Sequence, residues 1–418
     1  MGAGMTEPSV PLTQPLKPVL PGATLGVLGG GQLGRMWAHE AQRMGYQTVV
    51  LDPDAHSPAG LISHHHIRTD YTDPSGLQQM AQLCQAVTTE FENVPADALA
   101  QLAQGLPVSP AAAAVAVAQD RAREKAHFVA CGVPVAPYAV IDSPAQLAAV
   151  SDALLPGILK TARLGYDGKG QQRVSTREDL ARAWHDMQNV PCVLEKMLPL
   201  LMECSVIVAR AQDGNMVHLP VQRNLHRDGI LARTEVWPGN VPQALAQQAI
   251  AAAQAVAQGL HYVGVLCVEF FVVQEPGAMT LVVNEIAPRP HNSGHYSQDA
   301  CDVSQFELQV RCMAGLPLTP VRLHSPAIML NVLGDVWFNT TPAAPNASAG
   351  AASAQVQEPR EPDWSAVLAL PGVHLHLYGK TQARKGRKMG HLNITGDTPE
   401  AVRATAERVC ALLGMPSA

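Results

Sequence analysis

The sequence predicts a protein of several domains that combines α/β and α+β architecture. Its 418 residues exceed the length that one hydrophobic core normally organises. Residues 24–104 alternate short apolar strands with helical segments, which is typical of an open parallel sheet. Residues 265–286 instead hold two apolar strands around a Pro-Gly turn, which predicts an antiparallel hairpin.

The N-terminal domain is predicted by one strand-helix alternation. The expected strands are residues 24–28, 48–51 and 86–89, and the expected helices are residues 36–44, 76–85 and 96–104. A longer helical segment, residues 111–128, leads into the next domain. The run His64 to His66 is expected to be a solvated loop, because an isolated histidine run is weak support for a metal site.

The remainder of the chain mixes strands and helices without a fixed order. The expected strands are residues 157–160, 192–195, 204–208, 265–273, 279–286 and 373–378, and the expected helices are residues 242–259 and 399–413. Residues 340–363 are rich in Ala, Pro and Ser and lack periodicity, so we expect a flexible insertion there. Residues 1–21 are rich in proline and predict an N-terminal tail.

Composition argues against several classes of function. The formal net charge of −6 and an isoelectric point near 6.2 disfavour a general nucleic-acid-binding surface. The 8 cysteines are scattered without a C-x-x-C pair, which indicates neither a zinc site nor a disulfide framework. We expect neither a signal peptide nor a membrane-spanning segment, because residues 1–21 lack a basic leader with a long apolar run and no later run is long enough. We expect a cytoplasmic protein with small-molecule partners and no nucleic-acid or membrane partner.

The turn Gly29 to Gly34 fits the pattern G-x-G-x-x-G between a strand and a helix. Glycines let a turn approach an anion closely, and the following helix supplies backbone N–H groups for a phosphate. Asp52 lies where a ribose-binding acid would stand in a dinucleotide site. A nicotinamide cofactor, another phosphorylated ligand and plain turn geometry all remain compatible with this turn.

Lys160 ends a predicted strand, and the Gly-rich basic segment Gly165 to Gly170 follows it. Loops of this kind fold over nucleotide phosphates, although the Walker A pattern is absent and a surface hairpin is the plain alternative. The hairpin strands carry Glu269 on one side and Asn284 and Glu285 on the other. Paired carboxylates with an adjacent amide suit Mg²⁺, and acids paired with lysine or arginine are the structural alternative.

Two further segments are dense in polar donors. Arg289 and the loop His291 to His295 follow the second hairpin strand, and such a density of donors favours binding an anion and orienting an acceptor. Lys380 and the basic turn Arg384 to His391 suit the capture of one phosphate. A solvated charge run is the alternative for the basic turn.

An ordered set of motifs resembles the N5-carboxyaminoimidazole ribonucleotide synthetase family of the ATP-grasp superfamily, from about residue 24 to residue 413. The motifs are GQLGRM at 31–36, TEFENVP at 89–95, GYDGKG at 165–170, NLHRDGI at 224–230, NEIAPR at 284–289, HNSGH at 291–295 and GRKMGH at 386–391.

The resemblance implies a division into domains. A Pro-rich tail at 1–23 precedes a Rossmann-like parallel-sheet domain at 24–130 and a two-lobed ATP-grasp domain at 131–325. A small C-terminal domain at 326–418 is interrupted by the insertion near 343–362. The tail and the insertion depart from the family's usual pattern.

The resemblance also implies an activity in purine biosynthesis. ATP phosphorylates bicarbonate to carboxyphosphate, and the carboxylate then passes to the exocyclic amine of 5-aminoimidazole ribonucleotide. Metal ligation by Glu269 and Glu285 is implied for Mg²⁺, with Mn²⁺ as a possible substitute. The family is commonly dimeric, so a homodimer is expected.

The matching positions supply candidate site residues. For ATP they are Arg121, Lys160, Gly165, Tyr166, Asp167, Gly168, Lys169, Gly170, Gln171, Glu195, Lys196, Met197, Leu198, Glu203, His226, Asn284 and Glu285. For the ribonucleotide they are Gln32, Leu33, Glu92, Tyr166, Arg289, His291, Asn292, Ser293, Gly294, Lys380, Arg387 and Lys388. Arg289, His295 and Tyr166 are the candidate catalytic residues.

Three alternatives remain open at this point. One is another ATP-grasp ligase, such as a formate-dependent glycinamide ribonucleotide transformylase or a biotin carboxylase-like subunit. A nicotinamide-dependent dehydrogenase explains Gly29 to Gly34 but leaves Lys160, Glu269 and Glu285 without a role. A non-catalytic nucleotide sensor would be expected to lack the metal carboxylates, which are present here.

Overall fold

A computed structural model describes residues 17–165, 170–275, 277–338 and 359–417. The predicted tail up to residue 16, the loop residues Tyr166 to Lys169 and residues 343–358 of the predicted insertion lie outside these ranges. Within the described residues, no helix combines the length and apolar character needed to cross a bilayer.

The N-terminal domain is built on a parallel sheet, as predicted. Its strands are β1 (Thr24–Leu28), β2 (Gln47–Leu51), β3 (His65–Ile67) and β4 (Ala86–Thr89), in the order β3-β2-β1-β4. Its helices are α1 (Gln32–Arg43), α2 (Pro74–Leu83) and α3 (Ala96–Leu102). All adjacent strands pair in parallel.

The expectation of a loop at His64 to His66 is wrong for the last two residues. His65 and His66 belong to edge strand β3, where His65 lies opposite Val49 and Ile67 lies opposite Leu51. Ile67 is buried in the apolar cluster that also contains Leu51. Burial of this one residue at the sheet edge gives the strand its apolar anchor.

The single helix expected over residues 111–128 is also wrong. The structure has α4 (Ala112–Ala118) and α5 (Arg121–Ala130), separated at Gln119 and Asp120. The Asp120 side chain accepts hydrogen bonds from the N–H groups of Ala122 and Arg123 and so begins a second helix. This break positions Arg121 and the rest of the first turn of α5 toward the site described below.

A smaller antiparallel sheet follows. Its strands are β5 (Tyr138–Ile141), β6 (Gly157–Thr161), β7 (Gln171–Val174) and β8 (Cys192–Lys196), in the order β5-β8-β6-β7. Helices α6 (Pro144–Ala149) and α7 (Arg177–Asp186) accompany it. Leu159, Leu180 and Leu194 form part of its own apolar core.

The large sheet has nine strands within the described residues, in the order β14-β13-β9-β11-β12-β15-β17-β16, with β10 paired to β9. The strands are β9 (Leu200–Arg210), β10 (Met216–His218), β11 (Gln222–Arg227), β12 (Ile230–Val236), β13 (Gly264–Glu275), β14 (Ala278–Ala287), β15 (Ala327–Leu333), β16 (Val373–Leu377) and β17 (Lys388–Thr395). The helices are α8 (Gln243–Gly259), α9 (Ser297–Ala300), α10 (Gln305–Met313), α11 (Trp364–Leu368) and α12 (Pro399–Leu413).

The site is positioned by the continuity of the large sheet and by the packing of one helix against the N-terminal domain. Strands β15 to β17 extend the same sheet through the antiparallel pairing of β12 with β15, so the C-terminal segment continues the central one. Helix α10 packs on α1, where Phe306 and Met313 join Met36 and Trp37 in one buried cluster. Each large apolar side chain buried there contributes about 1.5–3 kcal/mol, which fixes the N-terminal domain against the large sheet.

Candidate active site

The Gly-rich turn is closed by two acidic side chains. The Glu90 carboxylate accepts hydrogen bonds from the N–H groups of Gly31 at 2.5 Å and Gly34 at 2.7 Å. The Asp52 carboxylate accepts one from Gly30 N–H at 2.7 Å. Gly29 has a φ of 103°, a conformation that favours glycine. A carboxylate therefore occupies the start of α1, where the sequence pattern suggested a phosphate.

Asp52 contributes to the architecture of this turn. Besides Gly30, its carboxylate accepts hydrogen bonds from Asp54 N–H and from the Tyr71 hydroxyl, each at 2.8 Å. Burial raises the pKa of Glu90, although the N–H groups of Gly34 and Gly31 act in the opposite direction. The nicotinamide interpretation relied on the Gly-rich turn and on Asp52. Both make hydrogen bonds within the protein instead, so this interpretation loses its support.

Gln32, the first residue of α1, contacts the C-terminal basic segment. Its side-chain oxygen accepts a hydrogen bond from Lys380 Nζ at 2.8 Å, and the same ammonium donates to the Lys388 carbonyl at 2.6 Å. Leu33 is buried beside Gln32. Arg387 is half-buried and donates to the Gln382 carbonyl at 2.9 Å. Lys380 therefore joins the Gly-rich turn to Lys388, whereas Arg387 contacts its own turn at Gln382.

Glu92 and Arg289 form a two-pronged ion pair between the N-terminal domain and the large sheet. Arg289 Nε lies 2.5 Å from one carboxylate oxygen, and its Nη2 lies 3.2 Å from the other. Burial alone would raise the pKa of Glu92, but Arg289 more than offsets this and lowers it to about 2. Burial would also lower the pKa of Arg289, yet Glu92 raises it overall. Both groups are therefore held in their charged forms.

The two predicted metal carboxylates face one another across the hairpin. Glu269 on β13 is the register partner of Glu285 on β14, whereas Phe270 lies opposite Val283. Asn284 is therefore the extra residue of a bulge, a device that re-aims side chains. Its buried side-chain oxygen has no hydrogen-bond partner within the part of the chain that the structure describes. Two carboxylates and this amide oxygen match the oxygen ligands that Mg²⁺ requires.

Each of these two carboxylates lies beside a basic side chain. Arg121 Nη1 lies 3.0 Å from Glu285, and His291 Nε2 lies 3.0 Å from Glu269. Burial would raise the pKa of Glu269, but His291 and then His226 outweigh it and lower the pKa. A nearby site also pairs His226 on β11 with Glu203 on β9. Burial would lower the pKa of His226, and the Glu203 carboxylate more than offsets that effect and raises it.

A buried lysine that the sequence analysis missed connects the two sheets. Lys125 Nζ lies 3.4 Å from Glu195 on β8 and donates to the Asn284 carbonyl on β14 at 3.0 Å. Lys160 Nζ lies 3.2 Å from the other Glu195 oxygen. Burial would raise the pKa of Glu195, but Lys160 and Lys125 outweigh this effect and lower the pKa. Arg121 and Lys125 are four residues apart and therefore lie on the same face of α5. This spacing was the sequence signal that could have identified Lys125 as a site residue.

Glu124 is a second missed residue. Its carboxyl group accepts a hydrogen bond from Ile286 N–H at 2.8 Å and is almost fully buried. Burial raises the pKa of Glu124 to about 8, with Arg121 acting in the opposite direction. Glu124 and Lys125 thus hold the β14 backbone on both sides of Glu285. Among the described residues β14 is the edge strand of the large sheet, so these two side chains provide hydrogen-bond partners that a neighbouring strand would otherwise provide.

The remaining candidates for ATP lie around the small sheet. Gly165 and Gly170 border the undescribed loop residues, and the Gly170 carbonyl accepts a hydrogen bond from Thr161 N–H at 2.9 Å. Gln171 begins β7 opposite Lys160. Lys196 and Met197 are exposed at the end of β8, and Leu198 packs against the cluster of Ala136, Val273 and Val282.

The loop after β14 is held by internal hydrogen bonds. The Ser293 hydroxyl bonds His291 Nδ1 and the Ser205 hydroxyl, each at 2.9 Å. A side chain at Gly294 would clash, since a Cβ there would lie 2.3 Å from Ile207 Cδ1. Both polar atoms of the Asn292 amide are buried, and neither has a hydrogen-bond partner in the described ranges. An unsatisfied amide of this kind suits a bound ligand.

His295 is fully enclosed. Its Nδ1 lies 2.9 Å from the Gln305 amide nitrogen, and its ring centroid lies 4.6 Å from that of His391. Burial, followed by the charge of His291, lowers its pKa well below the ordinary value, so the imidazole is neutral. His295 Nε2 has no hydrogen-bond partner among the described residues.

Models of three protein families match consecutive parts of the chain. A ribonucleotide synthetase preATP-grasp domain matches residues 22–119, and an ATP-grasp domain matches residues 126–306. A phosphoribosylaminoimidazole carboxylase C-terminal domain matches residues 327–405. The fold class expected from the sequence is confirmed by these matches.

Curated relatives and solved structures point the same way. N5-carboxyaminoimidazole ribonucleotide synthase of Brucella melitensis biotype 1 is 40% identical over 375 residues, which cover 89% of this chain and 96% of that protein. The Bacillus subtilis synthase is 37% identical over 377 residues, or 90% and 92% of the two chains.

The Staphylococcus aureus synthetase complexed with ADP is 34% identical with a TM-score of 0.82, covering 94% of this chain and 98% of that one. The Aspergillus clavatus synthase in complex with ADP and 5-aminoimidazole ribonucleotide is 30% identical with a TM-score of 0.79, again covering 94% and 98%. The chain belongs to the N5-carboxyaminoimidazole ribonucleotide synthase family of ATP-grasp enzymes.

Proposed function

We propose that this enzyme uses ATP and bicarbonate to carboxylate the exocyclic amine of 5-aminoimidazole ribonucleotide, a step of purine biosynthesis. The observation that carries the proposal is the meeting of two sets of groups at the hairpin. Glu269, Glu285 and Asn284 form one set, suited to a nucleotide and its metal. Arg289, paired with Glu92, begins the second set, which suits an anionic acceptor.

The nucleotide side of the site lies between the two sheets. Lys160 and Arg121 supply positive charge for the phosphates, while Glu203 and His226 bound the pocket for adenosine. Glu269, Glu285 and Asn284 would hold Mg²⁺, or Mn²⁺ in its place, and the metal would neutralise charge on the phosphates. Lys125 contacts both the Asn284 carbonyl and the Glu195 carboxylate and so fixes the position of one relative to the other.

The ribonucleotide side lies between the N-terminal domain and the basic turn. Lys380, Lys388 and Arg387 would bind its 5′-phosphate beside Gln32 and Leu33. Glu92, held ionised by Arg289, can accept a hydrogen bond from the exocyclic amine. The unsatisfied Asn292 amide, with His291, Ser293 and Gly294, would contact the remainder of the ribonucleotide.

The chemistry takes place in two displacements. A bicarbonate oxygen attacks the γ-phosphorus of ATP, ADP leaves, and carboxyphosphate forms. The amine nitrogen then attacks the carboxyl carbon, the bond to the phosphate oxygen breaks, and phosphate leaves with the amine losing a proton. We assign Arg289 and His295 to placing bicarbonate and carboxyphosphate, and Tyr166 stays a catalytic candidate that would also contact the ribonucleotide. Exclusion of water is essential, because an acyl phosphate would otherwise hydrolyse.

The assembly and location of the enzyme also belong to the proposal. We infer a homodimer and a cytoplasmic location from the family, together with small-molecule substrates. Sedimentation equilibrium of the full chain tests the first inference, and a monomer at micromolar concentration would contradict it.

The decisive experiment measures phosphate release from Mg-ATP and bicarbonate, with and without 5-aminoimidazole ribonucleotide. Release that depends on the ribonucleotide, with a stoichiometric carboxylated product, supports the proposal. Release only with formate and glycinamide ribonucleotide would indicate a transformylase instead. No release with any acceptor, despite ATP binding, would indicate a nucleotide sensor.

A further inference from the structure

A thiol, a carboxylate and an imidazole converge where the central strands meet the donor-rich loop. Cys267 and Glu269 are two residues apart on β13 and therefore project from the same face of the sheet. His291 reaches them from the loop after β14, with Nε2 3.0 Å from Glu269 Oε1. One ligand atom from each residue lies within 4.8 Å of the other two, the one such trio among the described residues.

The surroundings orient these groups. Cys267 is fully buried, and the side chains of Glu269 and His291 are only 12% and 15% exposed. The Ser293 hydroxyl bonds His291 Nδ1 at 2.9 Å and leaves Nε2 directed at the trio. Ser205 in turn holds Ser293 at 2.9 Å. Hydrogen bonds to the second ring nitrogen fix imidazole ligands in this way in metal sites.

The donor set differs from the one proposed for Mg²⁺. Mg²⁺ takes oxygen ligands, whereas a thiolate, an imidazole and a carboxylate together suit Zn²⁺ and similar ions. Three protein ligands leave the fourth position of a tetrahedral ion open to water or substrate. Ligand atoms around such an ion stand roughly 3.5 Å apart. The three ligand atoms, all within 4.8 Å of one another, would adjust to this spacing when the ion binds.

We propose that Cys267, Glu269 and His291 bind a thiophilic divalent cation, Zn²⁺ above all, at the edge of the nucleotide site. The thiol proton passes to solvent as the sulfur binds the metal. The proton on His291 Nε2 is released as this nitrogen binds, and Nδ1 takes up a proton and donates it to the Ser293 hydroxyl. Glu269 cannot serve this ion and Mg²⁺ together, so Zn²⁺ inhibits the ATP-dependent reaction. The inhibition rests on the proposed function, whereas the binding does not.

Binding is tested with Co²⁺ as a spectroscopic probe, added to the full-length protein without nucleotide. Ligation by a thiolate produces a charge-transfer absorption in the near ultraviolet, which Zn²⁺ should abolish by displacing Co²⁺. The absorption should appear in the wild-type protein and disappear in Cys267→Ala. Its absence from the wild type, or its persistence in Cys267→Ala, would overturn the proposal.

Two variants serve as controls. Cys312→Ala removes a buried thiol from the apolar cluster that also contains Cys267 and so matches the packing change. Cys131→Ala removes a thiol that lies 3.4 Å from His127 Nε2 and so tests a competing thiol-imidazole pair. Both variants should keep the cobalt absorption of the wild type, and its loss in either would assign the signal elsewhere.

The inhibition is tested by phosphate release at a fixed concentration of Mg-ATP. Zn²⁺ should inhibit the wild type at a concentration at least about tenfold lower than Cys267→Ala, because the variant lacks one of three ligands. Equal sensitivity would overturn the inhibitory role of the trio. If neither protein shows ribonucleotide-dependent release, the proposed function fails, while the cobalt spectra still decide the metal site.

Discussion

Lys125 on α5 donates a hydrogen bond to the backbone carbonyl of Asn284 on β14, at 3.0 Å. The same ammonium lies 3.4 Å from Glu195 on the small sheet, and its side chain is 1% exposed. One buried cation thus joins the two sheets that enclose the proposed nucleotide site. Burial lowers its pKa and Glu195 raises it, with burial dominant.

Replacing Lys125 with methionine should strongly destabilise the fold. The variant keeps the length of the side chain but leaves Glu195 with one cation and the Asn284 carbonyl without its donor. Breaking one partner of a buried pair costs about 3–5 kcal/mol, which denaturant unfolding can measure. Lys385→Met, which alters an exposed lysine, is the control. A loss equal to that of the control would contradict a bridging role.

Glu285→Gln should abolish ATP cleavage while leaving the fold intact. The amide retains the shape of the side chain and can still contact Arg121, but it lacks the charge that attracts a metal ion. Loss of such an electrostatic interaction lowers turnover by about 100-fold or more, as phosphate release will report. Glu400→Gln changes an exposed carboxylate in the first turn of α12 and should retain full activity. Turnover like that of the wild type in Glu285→Gln would remove the metal assignment.

Glu92→Gln should lose stability in a pH-dependent way. The pKa of Glu92 is lowered from 4.5 to about 2, so its contribution is complete above pH 4.5 and is lost as the pH falls toward 2. The contribution amounts to at most about 3 kcal/mol. The unfolding free energies of wild type and variant should therefore differ by a constant amount above about pH 5 and converge as the pH falls from about 4.5 toward 2.

The same comparison in an Arg289→Met background is the control for Glu92. Arg289 is the main group that lowers the Glu92 pKa, so the convergence should disappear there. A difference between wild type and Glu92→Gln that stays constant with pH would contradict the ion-pair explanation.

Gly31→Ala should disrupt the start of α1. The φ of Gly31 is −76°, which alanine adopts easily, so the effect would come from the side chain alone. A Cβ there would lie 2.4 Å from Glu90 Oε1 and displace the carboxylate from the N–H groups it accepts. Loss of these hydrogen bonds should lower the free energy of unfolding by about 1–3 kcal/mol. The KM for the ribonucleotide should increase as well.

The matched control for Gly31 is Gly105→Ala. A Cβ at Gly105 would meet no atom within 4 Å, so thermal stability and KM should remain those of the wild type. Equal behaviour of the two variants would show that the Glu90 contacts contribute little.

The hydrophobic pattern of the sequence correctly predicted the strands and helices whose periodicity is visible within one short segment. Strand Thr24–Leu28 and helix Pro399–Leu413 have the bounds expected from the sequence. The break at Asp120 was missed because the alanine-rich run on its N-terminal side continued the helical pattern through it. The capping hydrogen bonds of Asp120 decided the local structure over helix propensity.

The site was harder to predict where its contacts span the chain. Glu124 and Ile286 are 162 residues apart, and Lys125 and Asn284 are 159 apart, so no local pattern pairs them. Glu90 belongs to the motif at 89–95, yet its carboxylate occupies the anion position of the Gly-rich turn, 59 residues away from Gly31 along the chain. The resemblance supplied residue types, but their partners required the fold.

The continuity of the large sheet makes its C-terminal strands indispensable. Residues Arg233 to Val236 of β12 pair with β15, and β15 in turn pairs with β17. A protein shortened before residue 327 would leave β12 with an open row of backbone donors and acceptors, ready to join strands of other molecules. Proteolytic removal of this segment would therefore yield aggregates rather than a soluble two-domain fragment.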